Sequence, residues 1–249
     1  MTPSLVGWIL ILISASLLIV FTFWFKKRDG YRVRKIRGLE ALKNARVAAI
    51  EGGKPQHFIL GSQLFSQAYP GLGLSSLVGF SSYLDEETGI YGGLSVSGSD
   101  GSLVVLGRQI VHNRYQNGFY EMLQPQGVKA NLYGPSPFSF TAGLMSEFGF
   151  YPPHTVSLFG NYGSESLLWA DAAVSRGGHV FAAAGTVASQ AALFVRVQDL
   201  LLGEEVFLAN GLLDPSPADR AAWLTEDLVR MILMVLLLVG AVLKMVGIL

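Results

Sequence analysis

Uncharged runs close both ends of this chain, and short apolar runs ended by glycine fill the space between them. From Met1 to Phe25 no residue carries a charge, and Leu5 to Phe25 alone gives 21 residues. A helix rises about 1.5 Å per residue and a bilayer core is about 30 Å thick, so this run predicts a membrane-crossing helix. At the other end, Leu228 to Leu249 has an uncharged centre, Met231 to Leu243, of 13 residues. Arg230 and Lys244 border it and can reach toward a lipid–water boundary, so a second crossing is expected there.

Between these runs the period changes. Ile36, Leu39, Leu42, Val47 and Ile50 recur at three- and four-residue steps. That spacing predicts a helix over Tyr31 to Gly52, stopped by Gly52-Gly53 ahead of Pro55. The next stretch repeats one unit: a short apolar run, a glycine, then an amphipathic segment. Expected strands are His57–Gly61, Ser102–Gly107, Lys129–Gly134, His154–Gly160 and His179–Gly185, with Glu205–Ala209 as a last candidate. Expected helices are Leu74–Tyr83, Arg108–Leu123, Phe138–Phe148, Ser164–Arg176 and Val187–Leu200. Strand, glycine and helix in regular order predict βαβ units. Apolar runs without alternation predict strands buried on both faces of a mostly parallel sheet. The fold class is therefore α/β: a doubly wound, Rossmann-like sheet of five to six strands, flanked by N- and C-terminal transmembrane helices. The organisation reads as an anchor over 1–28, a basic juxtamembrane helix over 29–53 and the α/β domain over 54–213. A proline-broken linker over 214–227 and a second anchor over 228–249 complete it.

Composition fits this plan, and charge gives it a direction. Hydrophobic residues make up 51% and charged residues 14%, against about a quarter charged in soluble domains. Net charge is zero, yet nine Lys and Arg stand from Lys26 to Arg46, before Lys54, against the three acids Asp29, Glu40 and Glu51. The leading part of that block is Lys26, Lys27, Arg28, Arg32, Arg34, Lys35 and Arg37. Anionic lipid attracts each such residue by about 1 kcal/mol, so the lipid bilayer is the first expected partner. Short basic flanks stay in the cytoplasm. The expectation is a two-pass protein of the inner cell membrane, its α/β domain cytoplasmic and both termini external. A nucleic-acid partner is not expected, because the remainder of the chain is neutral to acidic. Met1-Thr2-Pro3-Ser4 lacks the basic start of a cleaved signal peptide, so the first anchor is expected to be retained. The chain has no cysteine, which excludes disulfides, thiolate metal sites and cysteine nucleophiles.

Candidate chemistry belongs at the carboxyl ends of the strands. The best-formed end is Gly160-Asn161-Tyr162-Gly163-Ser164-Glu165. A strand that ends in Gly-x-x-Gly-Ser and opens a helix turns backbone N–H groups toward an anion. Gly160, Asn161, Gly163, Ser164 and Glu165 are therefore candidate ligand-binding residues, joined by Ser62, Arg108 and Ser136 from other expected strand ends. The plain alternative is a tight turn with Ser164 as helix cap. Neither Gly-x-Gly-x-x-Gly nor a Walker Gly-Lys-Ser/Thr is present, and no cofactor is expected. His57, His112, His154 and His179 lack metal-ligand spacing; three precede strands, as capping or edge residues do. Asp85-Glu86-Glu87 reads as solvated surface, and Asp171 as a partner for a nearby base. No Gly-x-Ser-x-Gly elbow supports a nucleophilic serine. No metal site and no catalytic residue is assigned.

Several local patterns together resemble one family. They are Arg32, Arg34, Ile36 and Gly38–Leu42; Asp100-Gly-Ser-Leu103; Phe159-Gly-x-x-Gly-Ser-Glu165; Leu201-Leu-Gly-Glu-Glu-Val-Phe207; and Gly240-Ala-Val-Leu-Lys244. Over nearly its whole length the chain resembles uncharacterised bacterial membrane proteins that share only a domain-of-unknown-function label. The resemblance implies two anchors around one α/β domain and brings no activity. Glu204 and Glu205 in the fourth pattern are expected to cap a loop or pair with Arg196. Small-residue helices at Ala170–Ala173 and Ser189–Val195 suit sheet packing or subunit contacts. The expected role is a scaffold or assembly subunit, as a homo-oligomer or in a larger membrane complex. A ligand sensor built on Gly160–Glu165 is the first alternative. An enzyme acting on a nucleotide-like or lipid-derived substrate is the second.

Overall fold

The computed structural model of the chain describes residues 5–27, 37–62, 71–85, 93–117, 129–202, 205–208 and 217–245. In chain order the elements are α1 (Leu5–Lys27), α2 (Arg37–Glu51), β1 (Gln56–Leu60), α3 (Leu72–Asp85), β2 (Leu94–Ser97), α4 (Gly101–Asn117), β3 (Lys129–Asn131) and α5 (Pro137–Phe150). They continue with β4 (Thr155–Gly160), α6 (Ser166–Val174), β5 (His179–Ala184), α7 (Val187–Phe194), β6 (Asp199–Leu201), α8 (Glu205–Leu208) and α9 (Pro217–Met245). The chain divides into two units, Met1–Arg34 with Asp214–Leu249, and Lys35–Leu213.

The unit Lys35–Leu213 is α/β, with one six-stranded parallel sheet. Its strand order is β3-β2-β1-β4-β5-β6, the order of doubly wound dinucleotide-binding sheets. The order reverses between β1 and β4, where Gln56–Leu60 lies in register with Thr155–Phe159. Every residue of β1 and β4 is buried. Such strands need cover on both faces, which is why their sequences run apolar without alternation. On one face α3 and α4 close over Phe58, Leu60 and Val96 with Leu72, Phe80 and Leu103. On the other, α5, α6 and α7 close over Ile59, Leu158 and Ala182 with Phe140, Leu144, Trp169 and Leu193.

Two expected strands are helices. Ser102–Gly107 is the opening of α4, although its Leu-Val-Val-Leu run reads as a strand. Leu103, Val104, Gly107 and Val111 are buried while Val105 and Leu106 face outward, a helical spacing. Asp100 starts the helix: its carboxylate accepts the Ser102 N–H at 2.8 Å and its carbonyl the Val104 N–H at 3.1 Å. Gly107 then lets α4 seat closely, since a Cβ there would stand 2.8 Å from Leu60 Cδ1. The second strand is the shorter Leu94–Ser97. Glu205–Ala209, expected as the last strand, is helical over Glu205–Leu208, and Ala209 lies outside the described residues. The last strand is instead Asp199–Leu201, inside the segment expected to be helix through Leu200. The helix α7 stops at Phe194, and pairing of Phe181–Ala183 with Asp199–Leu201 sets the following residues. His179 Nε2 meets Asp199 Oδ2 at 2.9 Å across that pair.

His57 lies within β1, not at an edge. Its Nε2 stands 2.8 Å from Ser97 Oγ and its ring meets Phe148 edge-on at 5.1 Å. Burial lowers its pKa to about 3. The unfolded chain takes up a proton near the ordinary value of 6.5, while the folded chain does so only near 3. Stability is therefore lost as pH falls from 6.5 toward 3, by about 1.4 kcal/mol per pH unit from this residue. Burial, then Lys54 and His179, also lowers the His154 pKa, with the same sign. His57→Gln should remove the His57 part of the slope. Amide exchange of β1 and β4 in both proteins at pH 7 and pH 5 checks this, and parallel losses would contradict it.

In the other unit, α1 and α9 pack through Phe21, Phe25 and Ala221, with Leu17, Leu224 and Leu228 against them. Among the described residues one helix, Pro217–Met245, is long and apolar enough to cross a membrane. In α1 the described apolar stretch is Ile11–Lys26, short of the roughly 20 residues that a crossing takes. The expected pair of crossings thus reduces to one here. The helix α9 begins at Pro217, within the expected linker, and runs unbroken into the apolar segment. Lys26 is exposed, Lys27 ends α1 and Arg37 opens α2. Arg28, Arg32, Arg34 and Lys35 lie outside the described residues.

Candidate functional site

In a sheet of this order the ligand crevice lies beyond the carboxyl ends of the strands flanking the reversal. Here the chain's own atoms fill that place between β1 and β4. The strands run out into Gly61-Ser62 and Gly160-Asn161, and the two glycines meet backbone to backbone. A Cβ on Gly61 would stand 2.7 Å from the Asn161 nitrogen, and one on Gly160 would stand 2.7 Å from Gly61 Cα. Gly160 also has a φ of +136°, which side-chain-bearing residues rarely adopt. The Ser62 N–H and hydroxyl both donate to the Asn161 carbonyl at 2.8 Å. From β5, the Gly185 N–H donates to the Gly160 carbonyl at 3.0 Å.

Tyr162, buried in the core beside Trp169, joins the two strands, a role its sequence position gave no sign of. Its hydroxyl lies 2.6 Å from the Ile59 carbonyl oxygen and 2.8 Å from that of Phe159, with one proton to share. Burial raises its pKa well above the usual phenol value. Thr186, the cap of α7, donates to the Tyr162 carbonyl at 2.7 Å and accepts the Ser189 N–H at 3.0 Å. Tyr162→Phe should cost about 1–3 kcal/mol, because the carbonyls lose their buried donor while the ring still packs. Chemical denaturation checks this; a loss below a few tenths of a kcal/mol would show that the hydroxyl does not tie β1 to β4.

Glu165 supplies the turn's anion. Its Oε1 accepts the Gly163 N–H at 2.9 Å, and a Cβ on Gly163 would overlap its carboxylate. The negative charge that a ligand phosphate would bring is already present. Ser164 does not cap the helix: the N-cap of α6 is Glu165, without a side-chain cap bond, and Ser164 is exposed. Ser166 donates instead to the Gly163 carbonyl at 2.8 Å.

The structure thus brings together Ser62, Gly160, Asn161, Gly163 and Glu165. Ser136 serves as N-cap of α5 in a reciprocal pair with Ser139. It follows β3, three strands from β4 and so roughly 14 Å away. Arg108 follows no strand; it is exposed on α4. Asp171 pairs with Arg196 at 2.7 Å, and the Glu205 carboxylate accepts the Leu202 N–H at 3.5 Å, at the loop it was expected to cap. Among the described residues no group of three or more His, Cys, Asp or Glu could hold a metal ion.

A family model described as Domain of unknown function (DUF6754) matches residues 3–249. No curated protein matches the chain, and no solved structure does.

Proposed function

We propose that this chain, which belongs to the family of the domain of unknown function DUF6754, is a membrane-tethered α/β subunit that assembles with further copies of itself. The supporting observation is the outer face of α7. Ser189 and Leu193 turn inward and are buried, while Val187, Ala191, Phe194 and Val195 turn outward. Val187 is 76% exposed, Phe194 70% and Val195 76%. Their spacing places them on one helix face, so α7 is apolar on both sides. An apolar face open to water marks a contact with another protein or with a membrane, and the assembly reading takes it as the former. The exposed Asp171–Arg196 pair beside it suits the polar rim of such a contact.

On this reading α9 is one anchor and α1 a second, the basic block rests on anionic lipid, and the domain is cytoplasmic in the inner membrane with both termini external. The ligand-sensor reading of Gly160–Glu165 is weakened by the Glu165 carboxylate already seated in the turn. The enzyme reading has no titrating pair in a cleft among the described residues to support it.

Sedimentation of the full chain in mild detergent tests the proposal. The native chain should run at a multiple of 26.9 kDa, and Phe194→Asp with Val195→Ser should run smaller. A native chain that sediments singly contradicts it.

A further inference from the structure

We propose that the amino edge of the sheet docks on an anionic lipid surface, with Phe150 and Tyr151 entering the headgroup layer and Lys54, Lys129 and Arg176 meeting its negative charge. The inference rests on the membrane-tethered reading above and names the edge of the α/β domain that meets lipid. The turns before β1, β4 and β5 are joined side by side on this edge. The His154 N–H donates to the Pro55 carbonyl and the His179 N–H to the His154 carbonyl, both at 2.8 Å. The helix α5 ends at Phe150, and the Tyr151 N–H still donates to the Glu147 carbonyl at 2.7 Å. The helix thus delivers both rings to the edge, and Pro152-Pro153 fixes the backbone that follows. Phe150 is 78% exposed and Tyr151 64%.

Cations surround the two rings. Lys129, which opens β3, holds its Nζ 5.1 Å from the centre of the Tyr151 ring. Arg176 comes near Gly149, where a Cβ would stand 3.8 Å from its Nη2. Lys54 is exposed on the neighbouring turn. Of the acids at this end, Asp199 pairs with His179 and Glu147 is half-buried, while Glu51 closes α2. Positive charge is therefore in excess. Exposed rings set among Lys and Arg match a headgroup layer, which takes the rings at its own level and attracts the cations. A second copy fits worse, because two such edges face to face would oppose the same three cations. The chain also enters the domain here. A Cβ on Gly38, the second residue of α2, would stand 3.7 Å from the Cα of Asp199, which opens β6. The basic block from Lys26 to Arg37 thus leads straight to this end of the sheet. A domain already tethered by α9 needs only weak contacts to rest there.

The absence of cysteine allows one label per chain. Gly149→Cys carries a fluorophore at this edge, and Ser164→Cys carries it at the exposed turn beyond the other end of β4. The six residues of β4 keep the two labels about 20 Å apart. The full chain is placed in phosphatidylcholine vesicles with about 30% phosphatidylserine, and quenching by lipid spin-labelled at the headgroup is read. The Gly149 label should be quenched more than about twofold and the Ser164 label little. Each cation should shift the balance between resting and lifted domains by about fivefold. Lys54→Glu, Lys129→Glu and Arg176→Glu together should therefore bring the Gly149 label to the Ser164 level, as should vesicles without phosphatidylserine. Phe150→Ser with Tyr151→Ser should lower the quenching in the charged vesicles. Equal quenching at both labels, or quenching at Gly149 that neither phosphatidylserine nor charge reversal alters, overturns the proposal. Flotation with the vesicles and particle mass are read on the same samples. Phe194→Asp with Val195→Ser should shrink the particle and leave the Gly149 signal in place. A chain that floats as a multimer with its Gly149 label unquenched removes the lipid-docking edge and leaves the assembly reading. A chain that does not float removes the tether, and this edge with it.

Discussion

Gly160→Ala is expected to be among the most damaging single changes in the α/β domain. Two costs combine there. The φ of +136° strains any side-chain-bearing residue, at about 1–3 kcal/mol. The new methyl would also lie 2.7 Å from Gly61 Cα and 2.8 Å from the Gly61 nitrogen, where only backbone can yield. Forcing an atom into such a place costs a further 1–3 kcal/mol or so. The strands that would have to part are the two at the reversal of strand order, so the loss spreads to both cores. Gly177→Ala separates the terms: its φ is +81°, and nothing stands within 4 Å of the added Cβ. Thermal unfolding should place Gly160→Ala well below Gly177→Ala. Equal losses would mean that the close approach of Gly61 and Gly160 carries no weight.

Trp169→Ala should cost about 3–5 kcal/mol, as expected for a large aromatic removed from a filled core. Trp169 is 1% exposed. Phe140 meets its ring edge-on at 5.7 Å and Tyr162 at 5.1 Å. Removing it opens a cavity beneath α5 and α6 and withdraws support from the tyrosine that joins β1 to β4. Its indole N–H has no hydrogen-bond partner among the described residues, so Trp169→Phe gives up volume but no bond. Denaturant titration should show Trp169→Phe losing less than half as much as Trp169→Ala. A phenylalanine variant as unstable as the alanine one would assign the role to the indole N–H.

The fold was legible where local pattern and tertiary context agree. His154–Gly160 and His179–Gly185 are apolar runs long enough for a buried strand, each ended by a glycine. The structure gives β4 and β5 there, and with β1 they are the centre of the sheet. Legibility failed where a short segment takes its state from its neighbours. Ser102–Gly107 has strand-like composition, but Asp100 caps it and Gly107 lets it lie on β1 and β2 as a helix. Asp199–Leu201 is too short to show a period, and pairing with β5 decides it. The terminal apolar runs were legible as such, yet among the described residues only α9 has the length of a crossing. At the site, glycine spacing marked the turn correctly. It could not show that Glu165 folds back onto the Gly163 N–H, or that Tyr162 reaches two carbonyls. The reach of Tyr162 to Ile59 depends on the register of β1 with β4, which no local pattern carries, and the Glu165 contact depends on the backbone conformation of the turn.

Assembly through apolar surface would fix the mass of the intact particle. The full chain would be extracted in discs of its own membrane and weighed by native mass spectrometry. Peaks are expected at whole multiples of 26.9 kDa, falling to smaller particles when Phe194 and Val195 are made polar. A particle holding one chain, unchanged by those substitutions, would contradict it.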